Sequence, residues 1–371
     1  MPTAPDLQSF YRGLPVVVTG GAGFIGSHLV RALAALGAEV RVIDDLSGGT
    51  LDNLAPLVIE DAKTQADAGE IRTPPASSPS HSRTPRASSP PLIRFFRASI
   101  LDAGALERCC DGAAVIFHEA ALASVPASIE QPRRYLEVNV LGTQQILETS
   151  VKCGVRRVIF ASSSSVYGDQ PVLPKVETQL PDPLSPYAQQ KLTGEHLMRV
   201  WSLCYGVCTV CLRYFNIFGP LQRADSAYAA VVAAFAKALL DGQRPRIFGD
   251  GSASRDFTHV NDVAHANLLA GAILGLEASP RDHPLLAAGT LNIARGDRIT
   301  VLELANLMSE IVGLDAGPVF EPPRAGDVLH SQADISRARQ WLGFEPQTPV
   351  RTGLEETIAW YRRILSPHAP E

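Results

Sequence analysis

The fold is decided by the stretch V-V-V-T-G-G-A-G-F-I-G-S at residues 16–27. Its three leading β-branched residues predict a short buried strand, and the glycines that follow turn the chain into a helix. Gly20, Gly23 and Gly26 let the backbone come close to a pyrophosphate, whose charge the N–H groups at the helix start favour. Glycine-rich turns of this spelling also serve packing alone, so the surrounding residues decide between the two interpretations.

The residues around this stretch agree with a dinucleotide-binding unit. Phe24 and Ile25 stand where they pin the new helix to a sheet, and a second strand is predicted at 39–43. That strand runs into Asp44 and Asp45, about 20 residues past the glycines, where a carboxylate binds the 2′-hydroxyl of an adenosine ribose. Since a carboxylate would repel a 2′-phosphate, the sequence predicts NAD rather than NADP.

Composition and charge exclude several other classes of protein. The 371 residues are 46% hydrophobic and 19% charged, which is typical of a globular protein with a large core. A net charge of −5, spread along the chain, argues against nucleic acid as a partner. No apolar run resembles a membrane span or a signal peptide, so a cytoplasmic protein without membrane partners is expected. The six cysteines form no pair of clusters with zinc-ligand spacing, and no metal site is expected.

Beyond the first two strands, the chain alternates between strand and helix patterns. Further strands are predicted at 92–96, 113–117 and 158–161, and a long helix is predicted at 132–153. This alternation predicts an α/β fold with a doubly wound parallel sheet, in which ligands bind at the carboxyl ends of the strands. Asp44, His118 and the serine run Ser162–Ser165 all follow strands, so they are expected to share one crevice.

One segment belongs to neither pattern. From about 60 to 91 the chain is rich in Pro, Ser and Ala. Such a segment buries too little apolar surface to offset the entropy lost on ordering, so a disordered insertion is predicted there.

A second motif, S-P-Y-A-Q-Q-K at residues 185–191, carries the candidate chemistry. Tyr187 and Lys191 stand four residues apart on a predicted helix, hence on one face, and the serine run lies shortly before them. An ammonium about 5 Å from a phenol, at an effective dielectric constant of about 20, favours the phenolate by roughly 3 kcal/mol. The lysine is therefore expected to lower the pKa of Tyr187 by about two units and make it a general base.

Together these motifs resemble one family. T-G-G-A-G-F-I-G, the serine run before V-Y-G at 166–168, S-P-Y-A-Q-Q-K, and L-R-Y-F-N at 212–216 resemble the extended short-chain dehydrogenases/reductases. Within that family the chain is similar to the NAD-dependent epimerases/dehydratases, and most similar to the UDP-N-acetylglucosamine 4-epimerase group of nucleotide-sugar 4-epimerases. The likeness runs from about residue 14 to residue 361, apart from the insertion.

The resemblance implies an architecture and an assembly. A Rossmann domain that binds NAD is expected at 14–183, and later segments near 206–218 and 256–276 are expected to return to it. A smaller α/β domain at 184–365 is expected to hold the nucleotide sugar. The family also implies a homodimer formed through the two long helices near 132–153 and 186–204.

Site residues follow from the resemblance position by position. The catalytic residues are Ser163, Tyr187 and Lys191. The implied contacts to NAD are Gly20, Gly23, Phe24, Ile25, Gly26, Asp44, Asp45, Ser99, Ile100, Ala120, Tyr187 and Lys191. Two residues depart from the family: Ser99 replaces the usual Asp at the adenine, and Glu119 replaces a residue that is more often apolar.

The two residues after Ser163 indicate the reaction. Related 4,6-dehydratases carry an Asp-Glu pair there, and related decarboxylases carry Glu at the second position, whereas this chain has Ser164 and Ser165. No carboxylate is available to remove a C5 proton, so elimination and decarboxylation are disfavoured. The resemblance then implies 4-epimerisation. In this reaction the sugar C4 is oxidised with NAD, the ketosugar rotates in the pocket, and hydride is returned to its other face.

The substrate-binding residues are also implied by the family. They are Ser124, Ser163, Ser164, Ser165, Asn216, Tyr228, Arg255, Arg324, Asp327 and Ser331. Glucose-restricted epimerases have a bulky Tyr at the position of Ser331, so this chain leaves room for an N-acetyl group. The expected reaction interconverts UDP-GlcNAc and UDP-GalNAc, and with them UDP-Glc and UDP-Gal.

Other functions stay open at this point. A UDP-glucuronate 4-epimerase or a lyase of the same family shares most of these motifs. A dehydrogenase that releases NADH and a non-enzymatic NAD-sensing scaffold are further alternatives. The scaffold is disfavoured because Ser163, Tyr187 and Lys191 are all present.

Overall fold

The computed structural model describes residues 5–61, 92–224, 230–314, 317–323 and 328–365. The insertion predicted from about 60 to 91 falls on residues 62–91, which lie outside these ranges. Glu60 and Asp61, at the approximate start of that prediction, end a strand that pairs in parallel with the strand at 92–97.

Strands and helices alternate along most of the described chain. The strands are Pro15–Thr19 (β1), Glu39–Asp44 (β2), Val58–Asp61 (β3), Leu92–Arg97 (β4), Val115–His118 (β5), Arg157–Ser163 (β6), Cys208–Tyr214 (β7), Ile217–Phe218 (β8), Arg246–Phe248 (β9), Ser254–Arg255 (β10), Thr258–His259 (β11), Ala287–Ile293 (β12), Ile299–Thr300 (β13) and Val319–Glu321 (β14). The α-helices are Leu7–Tyr11 (α1), Phe24–Ala35 (α2), Ala103–Cys110 (α3), Val125–Glu130 (α4), Pro132–Leu136 (α5), Gly142–Lys152 (α6), Pro186–Tyr205 (α7), Val231–Leu240 (α8), Val260–Ala272 (α9), Val301–Val312 (α10), Ser336–Leu342 (α11) and Val350–Leu365 (α12). A π-helical turn, Glu137–Leu141, joins α5 to α6. None of the helices described has the length and apolar character needed to cross a membrane.

The central sheet has eight strands in the order β12-β7-β6-β5-β1-β2-β4-β3. Every neighbouring pair in it is parallel, and β1 lies between β2 and β5. Strands β2, β3 and β4 therefore lie on one side of β1, and β5, β6, β7 and β12 lie on the other. The prediction of a doubly wound parallel sheet is confirmed. The point where the direction reverses, at the carboxyl ends of β1 and β5, is where such sheets bind ligands.

Helices cover both faces of this sheet. On one face α2 and α9 bury Leu29 and Val263 against the strands. On the other face α3, α6 and α7 bury Leu106, Ile146 and Met198. Strands covered on both sides need apolar residues throughout, which explains the uninterrupted valines of β1.

A further apolar cluster lies toward the C-terminus. Helices α8, α10 and α12 pack there around Val232, Leu304 and Leu354. The short pairs β9–β14 and β10–β13 belong to this part of the chain.

Segments after residue 184 also belong to the central sheet. Helix α7 packs on β6 and β7. Strand β7 lies within residues 206–218, one of the two later segments that the resemblance assigns to the Rossmann domain. The sheet also includes β12, which lies outside both returning segments and pairs with β7 from Ala287 to Ile293. The division of the chain at residue 183 remains a prediction.

Candidate active site

The glycine turn after β1 is shaped by close backbone contacts. Gly20 has φ +67°, and a Cβ on it would lie 2.7 Å from the Ala120 Cα atom. A Cβ on Gly26 would lie 2.2 Å from the Gly20 carbonyl oxygen, which also accepts a hydrogen bond from the Gly23 N–H at 3.0 Å. Helix α2 begins at Phe24 without a side-chain cap, so its first N–H groups keep their hydrogen-bonding capacity. Only glycine fits these positions, as a pyrophosphate cradle requires.

Asp44 holds the same turn from the end of β2. Its Oδ2 accepts a hydrogen bond from the Ala22 N–H at 2.9 Å and its Oδ1 accepts one from the Leu46 N–H at 2.8 Å. Burial raises the pKa of Asp44, and the two backbone hydrogen bonds oppose that effect. Each carboxylate oxygen keeps a second lone pair for a ribose hydroxyl. Asp45 is exposed and accepts a hydrogen bond from the Ser47 N–H at 2.9 Å.

The residues expected at the adenine lie at the end of β4. The Ser99 hydroxyl accepts a hydrogen bond from the Leu101 N–H at 3.2 Å. Ile100 is buried, and its side chain packs against Gly142, where a Cβ would lie only 2.5 Å from the Ile100 Cδ1 atom. Both residues are thus part of a well-packed turn, and their contact with adenine remains a prediction.

The structure brings the three expected catalytic residues together. Ser163 ends β6, and its hydroxyl lies close enough to the phenol of Tyr187 on α7 to lower the pKa of that phenol. The Lys191 ammonium lies 5.9 Å from the centre of the Tyr187 ring and donates to the Ala161 carbonyl oxygen at 2.7 Å. Because both residues lie on the first two turns of α7, their spacing of four places them on the face that packs on β6.

The electrostatics of this pair differ from the prediction. Burial raises the pKa of Tyr187 to about 12, and the hydrogen bond with Ser163 lowers it by less than burial raises it. Burial also lowers the pKa of Lys191 to about 8. The prediction that Lys191 lowers the tyrosine pKa below its ordinary value is wrong for the protein alone, because the loss of hydration, together with the nearby Tyr135 and Glu119, raises that pKa by more than the Ser163 hydroxyl lowers it.

Two polar residues expected in the crevice are in the core instead. His118 is buried, and its ring nitrogens hydrogen bond with the hydroxyls of Thr19 and Thr143, each at 2.9 Å. Burial lowers the pKa of His118 to about 3, so the ring is neutral. Ser162 is also buried and donates to Glu195 at 2.5 Å. Since successive residues of a strand point to opposite faces, Ser162 and Ser163 cannot both face the crevice.

A buried ion pair under the serine run was not foreseen from the sequence. Arg213 on β7 donates to both carboxylate oxygens of Glu195 on α7, at 2.8 and 2.7 Å. The guanidinium also stacks on the Tyr167 ring, 4.7 Å from its centre. The sequence holds one signal for this ion pair: Glu195 stands four residues after Lys191, so both side chains lie on the face of α7 that packs on the sheet.

The expected sugar-side residues meet at a second group of contacts. The Asn216 side chain, on a backbone with φ 35°, donates to the Asp256 carbonyl oxygen at 3.3 Å and to the Ser331 hydroxyl at 3.5 Å. The Arg255 guanidinium donates to the carbonyl oxygens of Ser254 and Leu329, at 3.0 and 2.9 Å.

Other implied substrate residues are placed differently. The Ser124 hydroxyl caps α4 by accepting from the Ala127 N–H at 3.3 Å, and the Ser165 hydroxyl donates to the Ser163 hydroxyl at 2.9 Å. Ser164 begins the 3₁₀ turn that follows β6. Three further residues, Tyr228, Arg324 and Asp327, lie outside the described residues.

A glycine turn braced by a buried carboxylate, with a Ser–Tyr–Lys group at the same sheet edge, is the arrangement of a dinucleotide-dependent enzyme of the α/β class. The profile of the NAD dependent epimerase/dehydratase family matches residues 16–274. The UDP-glucose 4-epimerase of Mycolicibacterium smegmatis is 35% identical over 348 residues, which cover 93% of this chain and 98% of the relative.

Two solved structures are similar over nearly the whole chain. The UDP-N-acetylglucosamine 4-epimerase from Methanobrevibacter ruminantium M1, in complex with UDP-N-acetylmuramic acid, is 35% identical with a TM-score of 0.78, covering 94% of this chain and 98% of its own. The UDP-glucose 4-epimerase from Thermotoga maritima, with UDP-glucose, is 34% identical with a TM-score of 0.79, covering 95% and 100%. The chain belongs to the NAD dependent epimerase/dehydratase family. Its cofactor is NAD, and the cradle formed by Gly20, Gly26 and Asp44 fits that dinucleotide.

Proposed function

We propose that this protein is an NAD-dependent 4-epimerase of UDP-hexoses that interconverts UDP-GlcNAc and UDP-GalNAc, and with them UDP-Glc and UDP-Gal. The observation that carries the proposal is the contact between Ser163 and Tyr187 beside Lys191, at the sheet edge that the glycine turn shares. The similarity to a UDP-N-acetylglucosamine 4-epimerase and to UDP-glucose 4-epimerases over more than nine-tenths of the chain supports the substrate class.

In this proposal, the side chains handle the proton of the sugar C4 hydroxyl. Tyr187 accepts that proton, Ser163 holds the C4 oxygen, and Lys191 supplies a fixed positive charge that favours the phenolate. NAD, when bound, supplies reversible hydride acceptance at C4. Because burial raises the pKa of Tyr187 to about 12, the tyrosine needs all the positive charge near it to act as a base at neutral pH.

The residues beside Ser163 support epimerisation over elimination. Ser164 and Ser165 occupy the positions where related lyases carry carboxylates, and the Ser165 hydroxyl is engaged with the Ser163 hydroxyl at 2.9 Å. A hydroxyl of ordinary pKa cannot remove a proton from C5, so the ketosugar would be reduced again rather than dehydrated.

Ser331 supports the acetylated substrates. Its hydroxyl lies 3.5 Å from the Asn216 amide, at the group of contacts where the nucleotide sugar is proposed to bind. A serine there occupies far less volume than the tyrosine of glucose-restricted relatives, which leaves space for an N-acetyl group at C2.

We also propose that the enzyme acts as a homodimer through α5, α6 and α7. These helices, with the π-helical turn between α5 and α6, leave Leu136, Leu141, Val200 and Leu203 between 44% and 63% exposed. A protein interface would bury these exposed apolar side chains. A single light-scattering mass of about twice the 39.7 kDa chain would support the proposal, and a monomer at micromolar concentration would contradict it.

One experiment tests the reaction and separates it from its alternatives. The purified protein is incubated with UDP-GlcNAc, UDP-Glc or UDP-glucuronate, and the nucleotide sugars are separated. We expect UDP-GalNAc and UDP-Gal as products, with no accumulation of NADH. Conversion of UDP-glucuronate alone would favour the uronate epimerase. Stoichiometric NADH or loss of CO₂ would contradict the proposal, as would the absence of any product.

A further inference from the structure

Glu119 is a polar residue at the centre of the site that the proposed mechanism does not use. It directly follows β5, and its N–H donates to the Thr19 carbonyl oxygen at 3.3 Å. Its backbone also touches the glycine turn, since a Cβ on Gly20 would lie 3.1 Å from the Glu119 carbonyl carbon. The sequence therefore places a carboxylate where β1, β5 and β6 converge on the proposed reaction centre.

A chain of hydrogen bonds holds this carboxylate. The Tyr214 hydroxyl donates to Glu119 Oε1 at 2.8 Å. The Asn267 amide nitrogen donates to the Tyr214 oxygen at 2.7 Å and to the Val263 carbonyl oxygen at 3.0 Å. Because Asn267 uses its donors in this way, the Tyr214 oxygen is an acceptor there and its proton must point at Glu119. The network is thus arranged to receive a carboxylate anion.

Lys191 lies near enough to this carboxylate for the two charges to interact. The Lys191 ammonium donates to the carbonyl oxygen of Ala161 on β6. Since His118 on β5 is paired with Phe160 on β6, the next residue, Glu119, lies level with Ala161. The titratable groups near the ammonium are His118 at the end of β5, Glu119 directly after it, and Tyr187 on α7. His118 is neutral and the Tyr187 phenol is uncharged, so Glu119 supplies the negative charge that Lys191 meets.

We propose that Glu119 is a positioning residue for the Tyr187–Lys191 pair, because its anchored carboxylate is the counter-charge that keeps Lys191 an ammonium. This inference rests on the proposed function only in taking Lys191 as the partner of the general base. It gives a physical reason for a carboxylate at a position that is more often apolar in the family.

The two ionisations are coupled in a definite direction. Burial lowers the pKa of Lys191 to about 8, and the charge of Glu119 opposes that effect. Burial raises the pKa of Glu119 to about 7, and the Tyr214 hydrogen bond and the Lys191 charge oppose the rise. Removing the carboxylate therefore lowers the pKa of Lys191. Removing the Tyr214 hydroxyl raises the pKa of Glu119, which reduces its negative charge and so lowers the pKa of Lys191 by a smaller amount.

The test measures the titration of Lys191 directly. The chain has five lysines, so ε-¹³C-lysine labelling yields few signals, and the Lys191 signal is assigned by its loss in Lys191→Arg. We expect the titration midpoint of Lys191 to fall by about one pH unit in Glu119→Gln and by less in Tyr214→Phe. Glu107→Gln is the matched control, because Glu107 pairs with Lys152 at 2.6 Å on the surface and should leave the Lys191 midpoint unchanged.

The outcomes separate this inference from the proposed function. A Lys191 midpoint that is equal in the wild type and in both Glu119→Gln and Tyr214→Phe would overturn the inference, whatever the activity. A shifted midpoint in a protein that epimerises no UDP-hexose would support the charge assignment and contradict the proposed function. In an active enzyme, the pH above which kcat/KM falls should move down with the Lys191 midpoint, which a merely structural role of Glu119 would not produce.

Discussion

Gly26→Ala tests whether the turn at residues 20–26 is built for a dinucleotide. The added Cβ would lie 2.2 Å from the Gly20 carbonyl oxygen, whereas ordinary contact begins at 3.4 Å. The atom it meets is backbone, so the start of α2 must move away from the turn by about 1 Å. Overpacking of this kind costs about 1–3 kcal/mol, which exceeds the gain of up to about 1 kcal/mol that alanine brings to a helix.

The larger effect is expected on binding. A shift of about 1 Å at the helix start weakens the hydrogen bonds from the N–H groups to the pyrophosphate, and each hydrogen bond to a charged group is worth about 1.5–3 kcal/mol. We therefore expect Gly26→Ala to bind NAD about 10–100-fold more weakly, by calorimetric titration, and to lose about 1–2 kcal/mol of unfolding free energy in urea.

Gly104→Ala is the matched control. Gly104 also lies near the start of a helix, α3, but a Cβ there meets nothing closer than 3.4 Å. The same substitution should leave NAD affinity unchanged and keep or raise the unfolding free energy by up to about 1 kcal/mol. If Gly26→Ala bound NAD within about threefold of the wild type, the reasoning from the backbone contact would be refuted.

Further predictions concern the reacting groups and their support. Tyr187→Phe should lower kcat by about 10²–10⁴-fold while NAD affinity stays within about threefold, and an active variant would contradict the proton transfer. Ser331→Tyr should abolish turnover of UDP-GlcNAc and spare UDP-Glc in the product assay; equal loss of both would contradict the proposed pocket. Because the pKa of Lys191 is lowered to about 8, its ammonium is present below that pH and lost above it, so kcat/KM should fall as pH rises through 8. Arg213→Met leaves the buried Glu195 carboxylate unpaired and should cost about 3–5 kcal/mol of unfolding free energy, whereas the double variant with Glu195→Leu should recover most of it.

Local patterns accounted for the parts of the site that lie close together in sequence. The cradle from Gly20 to Gly26 depends on glycines within one turn, and the spacing of Tyr187 and Lys191 depends on one helix. Asp44 was predictable because the βαβ unit places the end of its second strand beside that turn. These features depend on contacts within a few tens of residues, so sequence periodicity carries them.

Other features depend on partners far apart in the chain. Glu119 meets Tyr214 across 95 residues, and Tyr214 meets Asn267 across a further 53. No local pattern records such contacts, so the sequence marked Glu119 only as unusual. The strand β12 likewise joins the sheet through its pairing with β7.

The sequence by itself determined the doubly wound fold and the glycine turn, because short-range spacing and hydrophobic pattern specify them, and the family resemblance pointed to Ser163, Tyr187 and Lys191. The tertiary structure alone decided the charges at that group. A pKa depends on how much water the fold excludes and on which charged groups it brings near, and neither quantity is written in local spacing. Burial therefore reversed the expected direction of the Tyr187 pKa, and the fold supplied Glu119 as the partner charge of Lys191.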